Sequence, residues 1–340
     1  MNPESFFTMD ERYLAGDIGG TKTRLALYST QLGTYDSLEK ETFPSQDYSS
    51  LEDIVQIFMA DKPYRLTGAS FGIAGPIIEN RAQVTNLNWV VDVDSLSKEI
   101  GNVPINLLND LHAIASAIPY LKPHELEVLI PGEPDSQGAK GVVAPGTGLG
   151  EGFLVWDGEQ YQPYPSEGGH ASFGPETPLQ LELLNYMDPI FGHVSYERVC
   201  SGIGIANLYN FLRDGKGMHD PDWLQLELHE VEDPTPIIAK AALENRAEIC
   251  RKTMELFVSI LGSEAGNLAL KVLATGGIYL GGGIPRRILP LLREDNFRGA
   301  FTDKGRFAKM LCEVPVYVIT HPQAGVFGAA CYGLLHSREG

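Results

Sequence analysis

A carboxylate at a β-prone run's end, framed by small residues, is the first candidate for chemistry: Gly16-Asp17-Ile18-Gly19-Gly20-Thr21-Lys22-Thr23. Backbone N–H groups in such a turn can approach phosphate oxygens, and Asp17 could hold a magnesium ion directly or through its waters. The plainer alternative is a glycine hairpin capped by an aspartate. A P-loop is excluded, because that motif needs adjacent Gly and Lys and here Thr21 separates Gly20 from Lys22. A second turn, Pro145-Gly146-Thr147-Gly148-Leu149-Gly150, fails the dinucleotide fingerprint, since Glu151 and Phe153 stand where that pattern requires glycine. Two phosphate-approach turns on separate hairpins fit a nucleotide clamped between two similar domains.

Asn109-Asp110 lies between a β-prone run and a helical one, a junction where open α/β sheets place functional side chains. Both residue types also cap helices. A carboxylate there is kept charged by the helix dipole and can accept a proton from a substrate hydroxyl. Ser166-Glu167-Gly168-Gly169-His170 sets a carboxylate and an imidazole around two glycines, so both side chains can converge on a polyhydroxylated ligand; Glu197-Arg198 follows. Taken singly, these residues read as surface or structural groups, Glu197-Arg198 reads as a solvated ion pair, and His112 faces solvent from its helix.

Positioning them requires strands alternating with helices. Residues 13–18 and 23–28 form a hairpin around the first turn, and 141–144 with 153–156 flank the second, which suggests a duplicated architecture. Residues 69–74 and 104–108 read as strands, and 111–118 as a helix stopped by Pro119. Met254, Phe257, Val258, Leu261, Ala265 and Leu268 recur at helical spacing, with Gly262 and Gly266 permitting close approach to a neighbour. Residues 272–275 read as a short strand ending in Gly276-Gly277, then come Gly281-Gly282-Gly283, a strand at 314–320 and a final helix at 325–335.

The chain has 340 residues, 43% of them hydrophobic, enough for two domains with full cores. A formal net charge of −18 opposes the basic surface that nucleic acid or an anionic membrane would need, so a small-molecule partner is expected. The first residues carry Glu4, Asp10 and Glu11 with no signal-peptide pattern, and no apolar run is long enough to span a bilayer, so a cytoplasmic protein is expected. Cys200, Cys250, Cys312 and Cys331 show no metal-ligand spacing.

Taken in order, the segments resemble the bacterial glucokinase family of the hexokinase–actin superfamily. The likeness runs from the turn at 16–21 through Asn109-Asp110, the turn at 146–150, Glu167-Gly168-Gly169-His170 and Glu197-Arg198-Val199, into Gly276-Gly277, Gly281-Gly282-Gly283, residues 301–307 and the 315–320 strand. It implies an α/β fold of two actin-like (ribonuclease H-like) domains flanking an interdomain cleft: a small domain of residues 10–119 plus 321–340 and a large one of 120–320. It implies ATP-dependent phosphorylation of glucose at the 6-hydroxyl in glycolysis, with Asp110 as general base and Asn109, Glu167, His170 and Glu197 on the sugar hydroxyls. Gly16, Asp17, Ile18, Gly19, Gly20, Thr21, Gly146, Thr147 and Gly148 would hold the ATP phosphates, Asp17 standing near magnesium, with the 276–283 region, Gly276 and Gly277 first in it, near adenosine. A homodimer is also implied. Lys22-Thr23 departs from the family pattern. The related ROK kinases carry a cysteine-rich zinc motif after the histidine, and this chain has no cysteine between His170 and Cys200. A kinase for another hexose, such as mannose, fructose or glucosamine, and a non-catalytic sugar sensor are the alternatives.

Overall fold

The computed structural model describes residues 11–30 and 36–336; Glu4 and Asp10 lie outside the described residues. The chain divides into two compact units, Met1–Leu121 with His321–Gly340, and Lys122–Thr320.

The first unit opens with β1 (Glu11–Ile18), β2 (Lys22–Ser29) and β3 (Ser37–Pro44), followed by α1 (Leu51–Met59) and β4 (Arg65–Ile73). A small sheet of β5 (Ile77–Ile78), β6 (Arg81–Gln83) and β7 (Val90–Asp92) precedes α2 (Val93–Glu99), β8 (Ile105–Asn109) and α3 (Asp110–Ala117). Its main sheet has the order β3-β2-β1-β4-β8, antiparallel through β1 and parallel from there on. The two-residue side-chain period of its strands divides their apolar residues between two cores. Leu14, Ile18, Leu25, Leu27 and Phe71 pack on one face with α1, whereas Tyr13, Ala15, Ala26 and Tyr28 pack on the other with α3. Helix α1 forms because Leu51, Ile54, Val55 and Phe58 make one buried stripe, and Ser50 accepts the Asp53 N–H at 3.1 Å as its cap.

The second unit begins with β9 (Leu126–Ile130), β10 (Lys140–Pro145), β11 (Leu149–Trp156) and β12 (Tyr161–Ser166). Helices α4 (Pro178–Phe191), α5 (Gly202–Asn210), α6 (Asp222–His229), α7 (Thr235–Leu243) and α8 (Glu248–Val272) follow. Then come β13 (Ile278–Leu280), α9 (Gly283–Arg287), α10 (Leu289–Leu292), α11 (Asp295–Thr302), α12 (Ala308–Leu311) and β14 (Val316–Ile319). The sheet order is β12-β11-β10-β13-β14-β9. Its first five strands repeat the first unit's pattern: an antiparallel meander, then two strands parallel to the meander's first. The long helix α8 is the spine of this core, with Met254, Phe257, Leu261 and Ala265 wholly buried. A Cβ on Gly262 or Gly266 would come within 2.4 or 2.5 Å of the Phe297 or Phe301 carbonyl, so the glycine spacing lets α11 lie directly on the α8 backbone. After β14 the chain returns to the first unit as α13 (Ala324–His336), which packs on α3 in the second of that unit's cores.

Two expectations are corrected here. Residues 272–275 are not a strand: α8 runs through Val272, Leu273 takes a left-handed φ of 49°, and the strand starts only at Ile278. A short apolar run carries no period of its own, and here it completes a helix. His112 does not face solvent either. Its ring meets Tyr332 of α13 edge-on at 5.1 Å, and burial, aided by His336, pushes it down to about 4.

Candidate active site

In the first unit the candidate residues gather at the carboxyl ends of the parallel strands. Ile18 pairs with Ile73 and Ile73 with Asn109, so β1, β4 and β8 end in one row. Asp17 lies beside Gly72 in that register, and a Cβ on Gly72 would stand 4.0 Å from the Asp110 Cα, which brings the two acids to one end of the sheet. Asp17 Oδ2 accepts from Arg24 Nη1 at 2.8 Å. Burial pushes the Asp17 carboxyl up, while Arg24 pulls it down. Gly325, at the start of α13, packs against the same carboxyl, where a Cβ would lie 3.2 Å from Asp17 Cγ. The turn after β1 is closed by Gly19 N–H donating to Lys22 O and by Ser45 Oγ donating to Gly19 O at 2.7 Å. Gly20 is required there, since a Cβ would come 2.6 Å from the Thr85 carbonyl. Asn109 caps α3, its Oδ1 accepting the His112 N–H at 2.6 Å, and Asp110 Oδ1 accepts the Leu111 N–H at 2.9 Å.

In the second unit the turn at 146–148, Glu197 and the Gly168–His170 turn meet. Gly146 N–H donates to Gly148 O at 2.8 Å, and Glu197 Oε2 accepts the Leu149 N–H at 3.0 Å. Gly148 makes room for that carboxylate, because a Cβ there would lie 2.4 Å from Glu197 Oε2. The N-terminus of α5 abuts the same turn through Gly202 N–H to Gly146 O at 2.8 Å. Ser201 caps α5 and donates its hydroxyl to Glu197 O at 2.6 Å. Tyr196 N–H donates to Ala171 O at 3.0 Å, and the His193 ring bonds His170 O at 3.0 Å, which ties the Glu197 segment to Gly168–His170. Glu167 and His170 stand 3.9 Å apart with side chains 87% and 60% exposed, open to a ligand.

The third glycine group divides. Gly281 N–H donates to Val143 O, and a Cβ on Gly282 would lie 2.5 Å from Pro145 O, so residues 281–283 adjoin Gly146. Gly276 and Gly277 are not brought there. Gly276 N–H bonds Ala139 O at the opposite end of β10, about 20 Å away at the usual rise per strand residue.

The chain matches the family model described as Glucokinase over residues 14–336. The chain belongs to the glucokinase family. It is 43% identical to a glucokinase of Nostoc punctiforme, over 93% of this chain and 97% of that one. A crystal structure of glucokinase from an Antarctic psychrotroph superposes with a TM-score of 0.83 at 32% identity, covering 96% of this chain and 99% of that chain. A glucokinase from Balamuthia mandrillaris, solved in complex with glucose, shares the fold at a TM-score of 0.79 and 22% identity, covering 97% of this chain and 94% of that chain. The chain is an enzyme of the glucokinase family, and its fold is that of these sugar kinases. Among the described residues no helix is long and apolar enough to cross a membrane.

Sequence reasoning missed Arg24, Ser45 and the buried Glu151. Arg24 could have been found from the hairpin register, which sets it opposite Asp17. Ser45 and Glu151 carry no sequence signal, because their contacts lie far away along the chain.

Proposed function

We propose that the chain phosphorylates glucose at the 6-hydroxyl with ATP, Asp110 acting as general base. The observation that carries this is the 3.0 Å bond from the Leu149 N–H to Glu197 Oε2: it unites a phosphate-approach turn and a sugar-ligand candidate in one place. Phosphoryl transfer needs donor phosphate and acceptor hydroxyl adjacent, and positioning with charge stabilisation supplies most of its acceleration.

In this assignment Asn109, Glu167, His170 and Glu197 hold the sugar hydroxyls. Asp110 takes the 6-hydroxyl proton as that oxygen attacks the γ-phosphorus and ADP departs. The turns at 16–21 and 146–148 hold phosphate oxygens with backbone N–H groups, and the α5 N-terminus favours negative charge beside the second turn. Within the 276–283 region, adenosine is assigned to residues 281–283, the glycines that adjoin Gly146, and not to Gly276 and Gly277.

Among the described residues no three acidic, histidine or cysteine side chains group to hold a metal. A single carboxylate, Asp17, fits a magnesium ion that keeps most of its waters and is shared with substrate phosphates. Magnesium would supply charge neutralisation at those phosphates. Asp17 would hold that ion through its waters, and Arg24 orients Asp17. A homodimer in the cytoplasm completes the proposal, on the family likeness, and sedimentation tests the dimer.

The deciding experiment is a coupled assay for glucose 6-phosphate with ATP and a panel of hexoses. Glucose should give the highest kcat/KM. A higher value for mannose, fructose or glucosamine would reassign the substrate, and no turnover with any sugar would sink the kinase assignment.

A further inference from the structure

Glu151 stands on β11 just after the second glycine turn and belongs to neither the sugar nor the phosphate set. It is 1% exposed, and its Oε1 is buried with no hydrogen-bond partner. Its Oε2 occupies the space above Gly168: a Cβ on that glycine would lie 2.2 Å from it. The carboxyl thus fills the volume that any other residue at 168 would need for its own side chain. One residue on, a Cβ on Gly169 would lie 2.1 Å from the Leu149 carbonyl. The Gly168–His170 turn therefore rests directly on the strand that leaves the phosphate-approach turn.

The charged groups that act on Glu151 come from α8, and the other titratable groups of this buried cluster come from a second element. From α8, Glu264 is wholly buried and is held by Lys271 Nζ at 3.1 Å and Asn267 Nδ2 at 2.9 Å. From the segment at Tyr196–Arg198 and just beyond it come Tyr196, whose hydroxyl accepts from Asn267 Nδ2 at 3.0 Å, and Cys200. Burial and Glu264 push Glu151 up to about 8, with Lys271 pulling the other way. Burial pushes Tyr196 and Cys200 up as well, above their already alkaline ordinary values, so they ionise after Glu151.

We propose that Glu151 is a positioning residue for the sugar: uncharged, it props the Gly168–His170 turn and so sets Glu167 and His170 for binding, and its ionisation releases the turn. This rests on the assignment of Glu167 and His170 to the sugar. An ionised Glu151 beside buried Glu264 cannot stay dry; it must draw in water or rotate away, and either move withdraws the support under Gly168. The competent, protonated form dominates below about pH 8 and is lost as pH rises through it.

The test is calorimetric glucose affinity of the full chain between about pH 6.5 and 9.5, beside turnover at saturating glucose and ATP. The Kd should be level to neutral pH and about tenfold weaker one unit above the Glu151 midpoint, since apparent affinity scales with the competent fraction. Glu151→Gln, isosteric and uncharged, should keep the neutral-pH Kd and abolish the rise. Glu151→Asp, drawn back from Gly168, should weaken glucose at every pH and leave ATP affinity unchanged. A level wild-type Kd overturns the proposal, as does a Glu151→Gln variant that retains the wild-type rise. If Glu151→Gln fails to fold, the wild-type profile with Glu151→Asp decides. Absent turnover alongside the expected Kd profile sinks the kinase assignment and leaves Glu151 standing, whereas turnover with a level profile sinks Glu151 alone. No glucose binding at any pH overturns both.

Discussion

Asn109 and Asp110 divide two tasks that a helix start sets. The cap of α3 falls to Asn109, which accepts the His112 N–H, so Asp110 can change without removing the cap. Asp110→Asn retains an oxygen for the Leu111 N–H, and should fold with near-wild-type Tm while losing on the order of 10²- to 10⁴-fold in kcat, because an amide accepts no proton. Near-wild-type turnover of the purified variant would remove Asp110 from the role of base. Gly148 tests the other unit. An added Cβ would meet Glu197 Oε2 at 2.4 Å, and the carboxylate must swing off the Leu149 N–H. Losing a hydrogen bond to a charged group costs about 1.5–3 kcal/mol, so Gly148→Ala should raise the glucose Kd roughly 10- to 100-fold by calorimetry. An unchanged Kd would mean that Glu197 does not touch the sugar. The types and order of these residues could be read from the sequence. A helix cap at Asn109-Asp110 could be read too, but which of the two takes it turned on one N–H, and the seating of Glu197 against Gly148 joins segments far apart in sequence.

At the scale of elements, the packing of α8 on the sheet makes β11 unusual. Burial first, and Glu264 after it, push the Glu151 carboxyl up, and folding therefore has to keep Glu151 protonated. An unfolded glutamate ionises near pH 4.3 whereas the folded one holds its proton to about 8. The native state thus binds the extra proton between those values, so wild-type stability falls as pH rises through that window and levels off above it. Glu151→Gln removes this loss, and at pH 8 it should be the more stable protein by roughly 2–4 kcal/mol, read from urea unfolding. A wild type and variant with parallel pH profiles would show that Glu151 ionises normally. The α8 stripe and its glycines were legible because a long period averages over many residues. The run at 272–275 was not, because four apolar residues fit a helix end as well as a strand, and the choice fell to Leu273 in its left-handed cap.

For the whole molecule, the decisive feature is the return of the chain. The second unit, Lys122–Thr320, interrupts the first, which is completed only when α13 covers Tyr13, Ala15, Ala26 and Leu108. At Gly328 the contact with α3 leaves no room for a side chain, since a Cβ would come 1.7 Å from the Ala113 carbonyl. Ending the chain before Ala324 should expose that face and give aggregated protein, judged by soluble yield and circular dichroism. A soluble, cooperatively folded truncate would show that α13 is dispensable. The net charge of −18 acts at this scale too, setting solubility and partners rather than fold.

By itself, the sequence determined the residue chemistry and most of the local elements: glycine turns that cannot be P-loops, strands with a two-residue period, and a long helix with room for a neighbour. These depend on interactions between residues near in the chain, and their periods survive without tertiary context. Tertiary structure alone decided which glycines adjoin. Residues 281–283 meet Gly146 while Gly276 and Gly277 lie at the far end of β10, a matter of strand register and direction. It alone buried Glu151 under Gly168 and set it facing Glu264, because burial and proximity arise when sheet and helix pack, and no local pattern encodes them.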